Sequence, residues 1–185
     1  MKATVTVSYN DNNEKLEEDN IQTILLKHID EYPGIRYREL LRLTDLSNGV
    51  LTYHLSILER SNQIRVSRRS KNNTTRYYSM NIASEEFEII GCIRQETLRR
   101  IILFILEHKL CTFNEIVEYI NKAPSTISWH LKRLKESGII SVQYGQQYQL
   151  YKVTNSEVVG EILYKYKESF VDKIVDNYTE IMEEL

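Results

Sequence analysis

The most chemically distinctive part of the sequence is residues 60–80, which carry six cationic side chains and no acidic one. Guanidinium and ammonium groups at this density bind phosphate, because their charge and their N–H donors both suit its oxygens. The whole chain has a net charge of −2, and residues 156–185 carry eight acids and three bases. The charge distribution therefore predicts that the middle of the chain, around residues 60–80, binds a polyanion and that the two ends of the chain are solvated. The six cations are Arg60, Arg65, Arg68, Arg69, Lys71 and Arg76.

The other chemistry-bearing residues form no catalytic or metal-binding pattern. His108 and Cys111 are three residues apart, but no further ligand cluster accompanies them. The sequence has no Gly-rich phosphate loop, no HExxH and no GxSxG. We therefore expect no enzyme activity, no metal and no cofactor. Two interpretations of Cys92 and Cys111 stay open, a redox sensor and a pair of buried inert thiols, and the second is favoured.

The sequence also carries signals of its cellular environment. No run of 18 apolar residues is present, and the first residues lack the apolar core of a signal peptide. Two cysteines do not make a disulfide framework. We expect a cytoplasmic protein without membrane contact.

A repeat relates the two halves of the chain. A shift of 76 residues places 52–64 on 128–140 without a gap, so that His54 falls on His130. The same shift also aligns the residues before this segment without a gap. Many aligned positions that are not identical are apolar in both copies. A shared apolar frame of this length predicts two copies of one fold. The other identical pairs include Ile29/Ile105, Glu31/Glu107, Glu39/Glu115, Leu55/Leu131, Leu58/Leu134, Ser61/Ser137 and Ile64/Ile140.

Each copy has the same predicted order of elements, which is helix, helix, turn, helix and a two-stranded ribbon. Ser47 suits the N-cap of the third helix in the first copy. Pro124 suits the first position of the third helix in the second copy, and Gly138 suits the residue after that helix. The predicted helices are 16–32, 36–44 and 47–60, then 94–108, 112–121 and 124–137, and the predicted strands are 63–69, 74–80, 139–144 and 147–153, with Gly145 turning the second ribbon.

This order predicts a mainly α fold with small β-wings, arranged as two tandem winged helix-turn-helix domains and a long C-terminal helix. The expected boundaries are an N-terminal arm or strand at 1–15, a first domain at 16–82, a linker at 83–93, a second domain at 94–154 and the C-terminal helix at 155–185.

The segment YPGIRYRELLRLTDLSNGVLTYHLSILERSNQI, residues 32–64, resembles winged-helix regulators of the archaeal and ArsR/MarR-like type. The segment STISWHLKRLKESGII, residues 125–140, carries the same signature. Two such units look like archaeal transcriptional regulators with paired winged-helix domains. The resemblance implies a double-stranded DNA partner and sequence-specific regulation of transcription. Asn62 departs from the glycine of the pattern, and the cysteine-rich motif of metal-sensing relatives is absent, so metal sensing is not implied.

The candidate DNA-binding residues lie on the third helices and the first ribbon. In this fold the third helix lies in the major groove and the ribbon lies along the backbone. Hydroxyls and amides can reach base edges, and cations hold phosphates. The alternative is that these are ordinary solvated faces. The candidates are Asn48, Thr52, Tyr53, Ser56, Arg65, Arg68, Arg69, Lys71 and Arg76, and then Ser125, Thr126, Ser128, Trp129, Lys132 and Arg133.

The two ribbons differ in charge, since the second carries no charged residue over 141–150. We expect the first ribbon to bind DNA, and the second either to make fewer ionic contacts or to face the other domain or a partner. An apolar stripe from Val159 to Ile181 predicts one long helix, which either packs on its own chain or, as we favour, forms a homodimer. Residues 4–9 alternate like a strand. The pattern identifies no small-molecule effector.

The alternative function is a winged-helix scaffold for protein interactions within transcription or chromosome machinery, because a fold does not decide function. The basic stretch at 60–80 favours DNA, since a scaffold has no need of six cations without an acid.

Overall fold

Helices make up most of the computed structural model, which describes residues 9–69, 74–145 and 148–169. The described residues fall into two compact units that divide between Ala83 and Ser84. We refer to them as the first and the second unit. A mainly helical fold with small antiparallel sheets is confirmed.

The first unit consists of three helices and a three-stranded antiparallel sheet. The strand order is β1-β3-β2, and Tyr77 on the central strand lies opposite both Ile35 and Val66. The elements are α1 (Tyr9–Glu31), β1 (Ile35–Arg36), α2 (Tyr37–Thr44), α3 (Asn48–Arg60), β2 (Ile64–Arg69) and β3 (Thr74–Ser79).

The core of the first unit forms because apolar residues recur every three or four positions along α1 and α3. This spacing brings them to one face of each helix. Full burial of an aliphatic side chain stabilises the folded state by about 1.5–3 kcal/mol. The buried set is Leu25, Ile29, Ile35, Leu40, Leu51, Leu55, Leu58, Ile64 and Tyr77.

The second unit follows the same order from its second helix onward, within the described residues. Its sheet order is β4-β6-β5. The elements are α4 (Glu86–Ile93), α5 (Glu96–His108), β4 (Cys111–Thr112), α6 (Phe113–Ile120), α7 (Pro124–Glu136), β5 (Ile140–Tyr144), β6 (Gln149–Val153) and α8 (Ser156–Lys165), followed by a 3₁₀ turn at Lys167–Ser169.

The predicted roles of Ser47, Pro124 and Gly138 at helix ends, and of Gly145 in the second hairpin, are confirmed. The Ser47 side chain accepts a hydrogen bond from the Val50 N–H at 3.4 Å. Pro124 begins α7, where its missing N–H costs no helical hydrogen bond. Gly138, just past the end of that helix, has a φ of +70°. In the second hairpin the Gly145 N–H donates to the Tyr148 carbonyl at 2.9 Å.

The predicted linker at 83–93 is wrong, because its residues 86–93 form the helix α4. Ile90, Cys92 and Ile93 are buried, and α4 packs against α5 and α8. The buried Arg99 guanidinium donates to the Ile93 carbonyl at 2.7 Å and ties α5 to the end of α4. The segment lies outside the aligned repeat, so the repeat does not predict a helix there.

Both predicted ends of the chain also need correction. Helix α1 begins at Tyr9, so residues 9–15 are helical and not an arm or strand, while residues 1–8 lie outside the described part. The predicted long C-terminal helix ends at Lys165. The first part of its apolar stripe, Val159, Ile162 and Leu163, is buried within the second unit. The stripe beyond residue 169 lies outside the described part, and homodimerisation stays a prediction for sedimentation to test.

Asn62 and Gly138 occupy equivalent positions and both have positive φ, 55° and 70°. We predict that Gly138→Ala destabilises the fold by about 1–2 kcal/mol, because the left-handed conformation strains any Cβ. Asn62→Gly should be neutral or slightly stabilising. The measurement is denaturant unfolding followed by circular dichroism. Gly160→Ala within α8 is the control, and it should stabilise by up to about 1 kcal/mol. A shift in the same direction for both alanine variants would contradict the prediction.

Candidate nucleic-acid interface

Helix α3 buries one side and exposes the other. Leu51, Leu55 and Leu58 point into the core, so Thr52 and Tyr53 are left facing solvent, and Tyr53 is 52% exposed. Of the predicted DNA-contacting residues on this helix, Asn48 is also exposed. These polar and aromatic side chains are available to a ligand that approaches the outer face of α3.

The outer face of α3 is fixed to α2 by the hydroxyl of Tyr37. That oxygen lies 3.0 Å from the Asn48 carbonyl oxygen, 3.2 Å from Asn48 Oδ1 and 3.0 Å from Thr52 Oγ1. The equivalent position in the second unit is Phe113, which has no hydroxyl. Ser56 is half-buried and donates to the Tyr53 carbonyl at 2.7 Å, so its hydroxyl is already used inside the helix.

The arginines of the first hairpin are placed unequally. Arg76 is buried and donates to the Gly34 carbonyl at 2.6 Å, so its role is structural and its guanidinium is turned away from solvent. Arg65 is half-buried and donates to the Ile82 carbonyl at 3.0 Å. Arg69 lies on β2, but its side chain is outside the described part, as is Lys71.

Arg68 is the exposed arginine of this hairpin whose contacts are described. Its guanidinium pairs with both carboxylate oxygens of Glu59 at 2.6 and 2.5 Å. Its side chain is nevertheless 62% exposed. The hydrogen bonds from Arg68 hold the pKa of the Glu59 carboxyl below its usual range, against a smaller opposing effect of burial. A carboxylate thus competes with any phosphate that approaches Arg68.

Helix α7 presents the corresponding face of the second unit. Ile127, Leu131 and Leu134 are buried and fix its orientation. Trp129 is 54% exposed at the position equivalent to Tyr53. Ser125, Thr126, Ser128 and Lys132 are also exposed, as predicted for a binding face.

Arg133 differs from these predicted contact residues, because its guanidinium is engaged within the second unit. It is half-buried, donates to Gln95 Oε1 at 2.7 Å and lies 5.8 Å from the centre of the Trp129 ring. Lys132 is less engaged than Arg133, since its carboxylate partner Glu136 is 4.0 Å away and both side chains are exposed.

A basic surface on α2 was missed by the sequence analysis. Arg36, Arg38 and Arg42 are exposed and line a hollow that also includes Thr75 of β3. The signal was present in RYRELLR, residues 36–42, but Glu39 lies among these cations. The absence of acids, which distinguishes residues 60–80, therefore does not identify residues 36–42 as a basic surface.

The two repeated histidines occupy structural positions. His54 is 3% exposed and meets the Tyr53 ring edge-on at 5.1 Å between ring centres, and His130 meets Trp129 in the same way at 5.0 Å. Burial lowers the pKa of His130, and the nearby Arg133 and Lys122 lower it further. Among the described residues, no three His, Cys, Asp or Glu side chains come together as a metal site.

The second hairpin exposes aromatic rings instead of charges. Tyr144 is 76% exposed and Tyr148 is 63% exposed on either side of its tip. Gln146 and Gln147, the residues between them, lie outside the described part.

Comparison with known proteins places a family domain in the second unit. Residues 97–142, from α5 into β5, match the family model described as "Bacterial regulatory protein, arsR family". The second unit contains an ArsR-family helix-turn-helix domain. This span includes α7 and all of its predicted contact residues.

A transcriptional regulator from an archaeon is similar to this chain at low sequence identity. An "Uncharacterized HTH-type transcriptional regulator" of Methanocaldococcus jannaschii is 25% identical over 127 residues. That match covers 69% of this chain and 32% of the relative, so the chain spans about a third of the relative's length.

Solved structures of bacterial regulators are also similar. The transcriptional repressor PagR of Bacillus anthracis is 19% identical, with a TM-score of 0.39 over 42% of this chain and 88% of its own. HlyU of Vibrio cholerae is 18% identical, with a TM-score of 0.41 over 45% and 90%. In the described part of this chain, no helix is long and apolar enough to cross a membrane.

Both cysteines are buried, Cys92 at 0% and Cys111 at 1% exposure. Burial, with smaller contributions from Glu115 and Glu107, raises the pKa of Cys111 to about 11. We predict that the native chain reacts slowly with iodoacetamide at pH 8, where about one Cys111 in a thousand would be a thiolate. Mass spectrometry measures the labelling, and the urea-unfolded chain is the control. Rapid labelling of the native chain would favour the redox-sensor alternative instead.

Proposed function

We propose that this chain is a sequence-specific transcriptional regulator that binds double-stranded DNA through two winged-helix units. The observation that carries the proposal is the outer face of α7, within the ArsR-family domain. Its buried apolar side leaves Ser128, Trp129 and Lys132 exposed together. Hydroxyl, aromatic and ammonium groups on one helix face suit base edges and phosphates in a major groove.

The first unit supports a second winged helix in the same chain. It repeats the order from helix to hairpin, and its third helix has the same length of 13 residues as α7. Tyr53 and Trp129 are exposed at equivalent positions on the two helices. The relative from Methanocaldococcus jannaschii, whose name describes an HTH-type transcriptional regulator, is matched over 69% of this chain.

The two units would make different kinds of contact with DNA. Arg68 at the first hairpin, with Arg69 and Lys71 following it in sequence, would lie along the phosphates. The second hairpin, with Tyr144 and Tyr148 at its tip, would make fewer ionic contacts. A homodimer would place two chains on a palindromic site.

The competing function is a scaffold for protein interactions, and the exposed tyrosines of the second hairpin are the observation that favours it. Aromatic rings are enriched at protein interfaces. A scaffold does not need the exposed cations of α2 and α7, so DNA binding accounts for more of the surface.

The test is retention of a genomic fragment pool by the full chain at about 50 and about 200 mM salt, followed by sequencing. We expect a shared motif at the higher salt. Ser128→Ala should weaken that motif, whereas Lys132→Gln should lower the retention of all fragments alike. Lys109→Gln, an exposed lysine outside the helix-turn-helix, is the control for charge. Fragments without a common motif would refute sequence specificity, and no retention at either salt would favour the scaffold.

The Glu59–Arg68 pair gives a second prediction. Glu59→Gln removes the carboxylate that competes for the Arg68 guanidinium, so affinity for a random-sequence duplex should rise severalfold at low salt. Because one more phosphate contact adds about 0.9, the slope of log affinity against log salt should steepen by at most that amount. Fluorescence anisotropy measures both quantities. Glu107→Gln, an exposed acid on α5, is the control, and the double variant with Arg68→Ala should lose the gain. An unchanged affinity would show that Arg68 does not contact DNA.

A further inference from the structure

The hydroxyl of Tyr37 on α2 contacts two residues on the exposed face of α3. Tyr37 begins α2, and its ring is half-buried against the core of the first unit, which fixes where the hydroxyl lies. The hydroxyl oxygen is 3.0 Å from the Asn48 carbonyl oxygen, 3.2 Å from Asn48 Oδ1 and 3.0 Å from Thr52 Oγ1. Asn48 is the first residue of α3, and Thr52 follows it by about one turn on the same side. A ring held by the core thus contacts two side chains that a ligand can reach.

The single proton of the Tyr37 hydroxyl limits how these contacts can form. A hydroxyl donates one hydrogen bond and can also accept, whereas a carbonyl oxygen and an amide oxygen only accept. The Tyr37 proton therefore goes to Asn48, since neither of the two Asn48 oxygens could donate in return. The contact with Thr52 then uses the Thr52 proton, which the Tyr37 oxygen accepts. This arrangement of protons bonds Tyr37 to both residues.

The same arrangement determines which groups α3 presents to a ligand. Because the Thr52 proton is bonded to Tyr37, the Thr52 oxygen acts towards a ligand only as an acceptor. Because the Asn48 amide oxygen lies against Tyr37, the Asn48 amide nitrogen is left to act as a donor. In the major groove a donor suits O6 and N7 of guanine or O4 of thymine, and an acceptor suits the amino group of adenine or cytosine. Residues at the start of the third helix are the ones that contact base edges in this fold.

The repeat shows that the fold does not require the Tyr37 hydroxyl. Under the shift of 76 residues, Tyr37 falls on Phe113 and Asn48 falls on Pro124. Phe113 begins α6 as Tyr37 begins α2, and it is half-buried in the same way. The second unit thus keeps the ring but has neither the hydroxyl nor the amide side chain that the hydroxyl holds. The hydroxyl therefore serves the exposed groups of α3 and not the packing of the ring.

We propose that Tyr37 is a positioning residue for base recognition by the first unit, because its hydroxyl holds Asn48 as a donor and Thr52 as an acceptor before DNA binds. The proposal rests on the proposed DNA-binding function and deepens it. Side chains that are already held in one arrangement lose less freedom on binding, and they disfavour bases whose groups do not match them. Opposite Thr52 the first unit then prefers a base with an amino group in the major groove, which is adenine or cytosine.

The test compares the base preferences of full-length variants. Each variant selects from a pool of random-sequence duplexes at about 200 mM salt, and the retained duplexes are sequenced. Asn48→Ala and Thr52→Val first identify the base pairs whose preference depends on these two side chains. At those base pairs Tyr37→Phe should reduce the preference by about twofold to tenfold, which corresponds to the loss of one net hydrogen bond, and it should leave the rest of the motif unchanged. Tyr164→Phe, which removes a hydroxyl from an exposed ring on α8, is the control and should leave the whole motif unchanged.

Two further measurements separate positioning from a structural role. In a chain that already carries Asn48→Ala and Thr52→Val, Tyr37→Phe should cause no further loss of base preference, because Tyr37 acts through those two residues. The slope of log affinity against log salt, measured by fluorescence anisotropy, should be the same with and without Tyr37→Phe, since no charge changes. Melting curves show that each variant is folded.

If Tyr37→Phe weakens binding to every sequence alike and leaves the motif unchanged, the hydroxyl is structural only, and this proposal is overturned while the proposed function stands. The same conclusion follows if the wild-type chain selects a motif that neither Asn48→Ala nor Thr52→Val alters. A further loss of base preference when Tyr37→Phe is added to those two changes would also overturn the proposal, because Tyr37 would then act by another route. If the wild-type chain selects no shared motif, the proposed function and this proposal both fail.

Discussion

Burial of one side of α3 in the first unit and of α7 in the second is the constraint on which the exposed surfaces of the two units depend. Leu51, Leu55 and Leu58 are spaced by four and three residues, and Ile127, Leu131 and Leu134 repeat that spacing. A helix turns once in 3.6 residues, so a stripe of this kind has one orientation against the core. The opposite side is then presented to solvent regardless of its residue types, and it is free to diverge.

Divergence between the two units follows from that freedom. Identical or similar residues hold the core of each copy, whereas the exposed positions differ between them. The first unit has Tyr37, Arg38 and Arg42 where the second has Phe113, Asn114 and Glu118. The charges separate accordingly, with exposed cations around α2 and the first hairpin and exposed tyrosines at the second hairpin. One fold therefore carries two different surfaces within a single chain.

The elements with a strong apolar period could be predicted from the sequence, and their ends agree with the structure within one or two residues for α2, α3, α5, α6 and α7. The two-residue strands β1 and β4 could not be predicted, because two residues show no period. Helix α4 was missed because it lies outside the repeat, although its buried Ile90 and Ile93 have helical spacing. The end of α8 at Lys165 could not be predicted from the sequence, because no glycine or proline follows it to mark the end of a helix.

The candidate site was harder to predict, because a count of charges does not reveal their partners. Arg76 belongs to the basic stretch at 60–80, yet it is buried and its guanidinium donates to the Gly34 carbonyl oxygen. Arg68 is paired with Glu59, an acid that lies one residue before the stretch begins. Conversely, the sequence does not reveal the basic surface of Arg36, Arg38 and Arg42, because the acid Glu39 lies among them. In the structure the Glu39 carboxylate caps α2.

The most direct test of the account is photo-crosslinking from α3 and α7, the two helices that are proposed to enter the major groove. Benzoylphenylalanine would replace Tyr53 and Trp129 in separate full-length variants, and Tyr164 on α8, which is 53% exposed, in a control. After irradiation with duplex DNA, the account predicts protein–DNA adducts from positions 53 and 129 and none from 164. Adducts from neither α3 nor α7, in a chain that still binds the duplex, would contradict it.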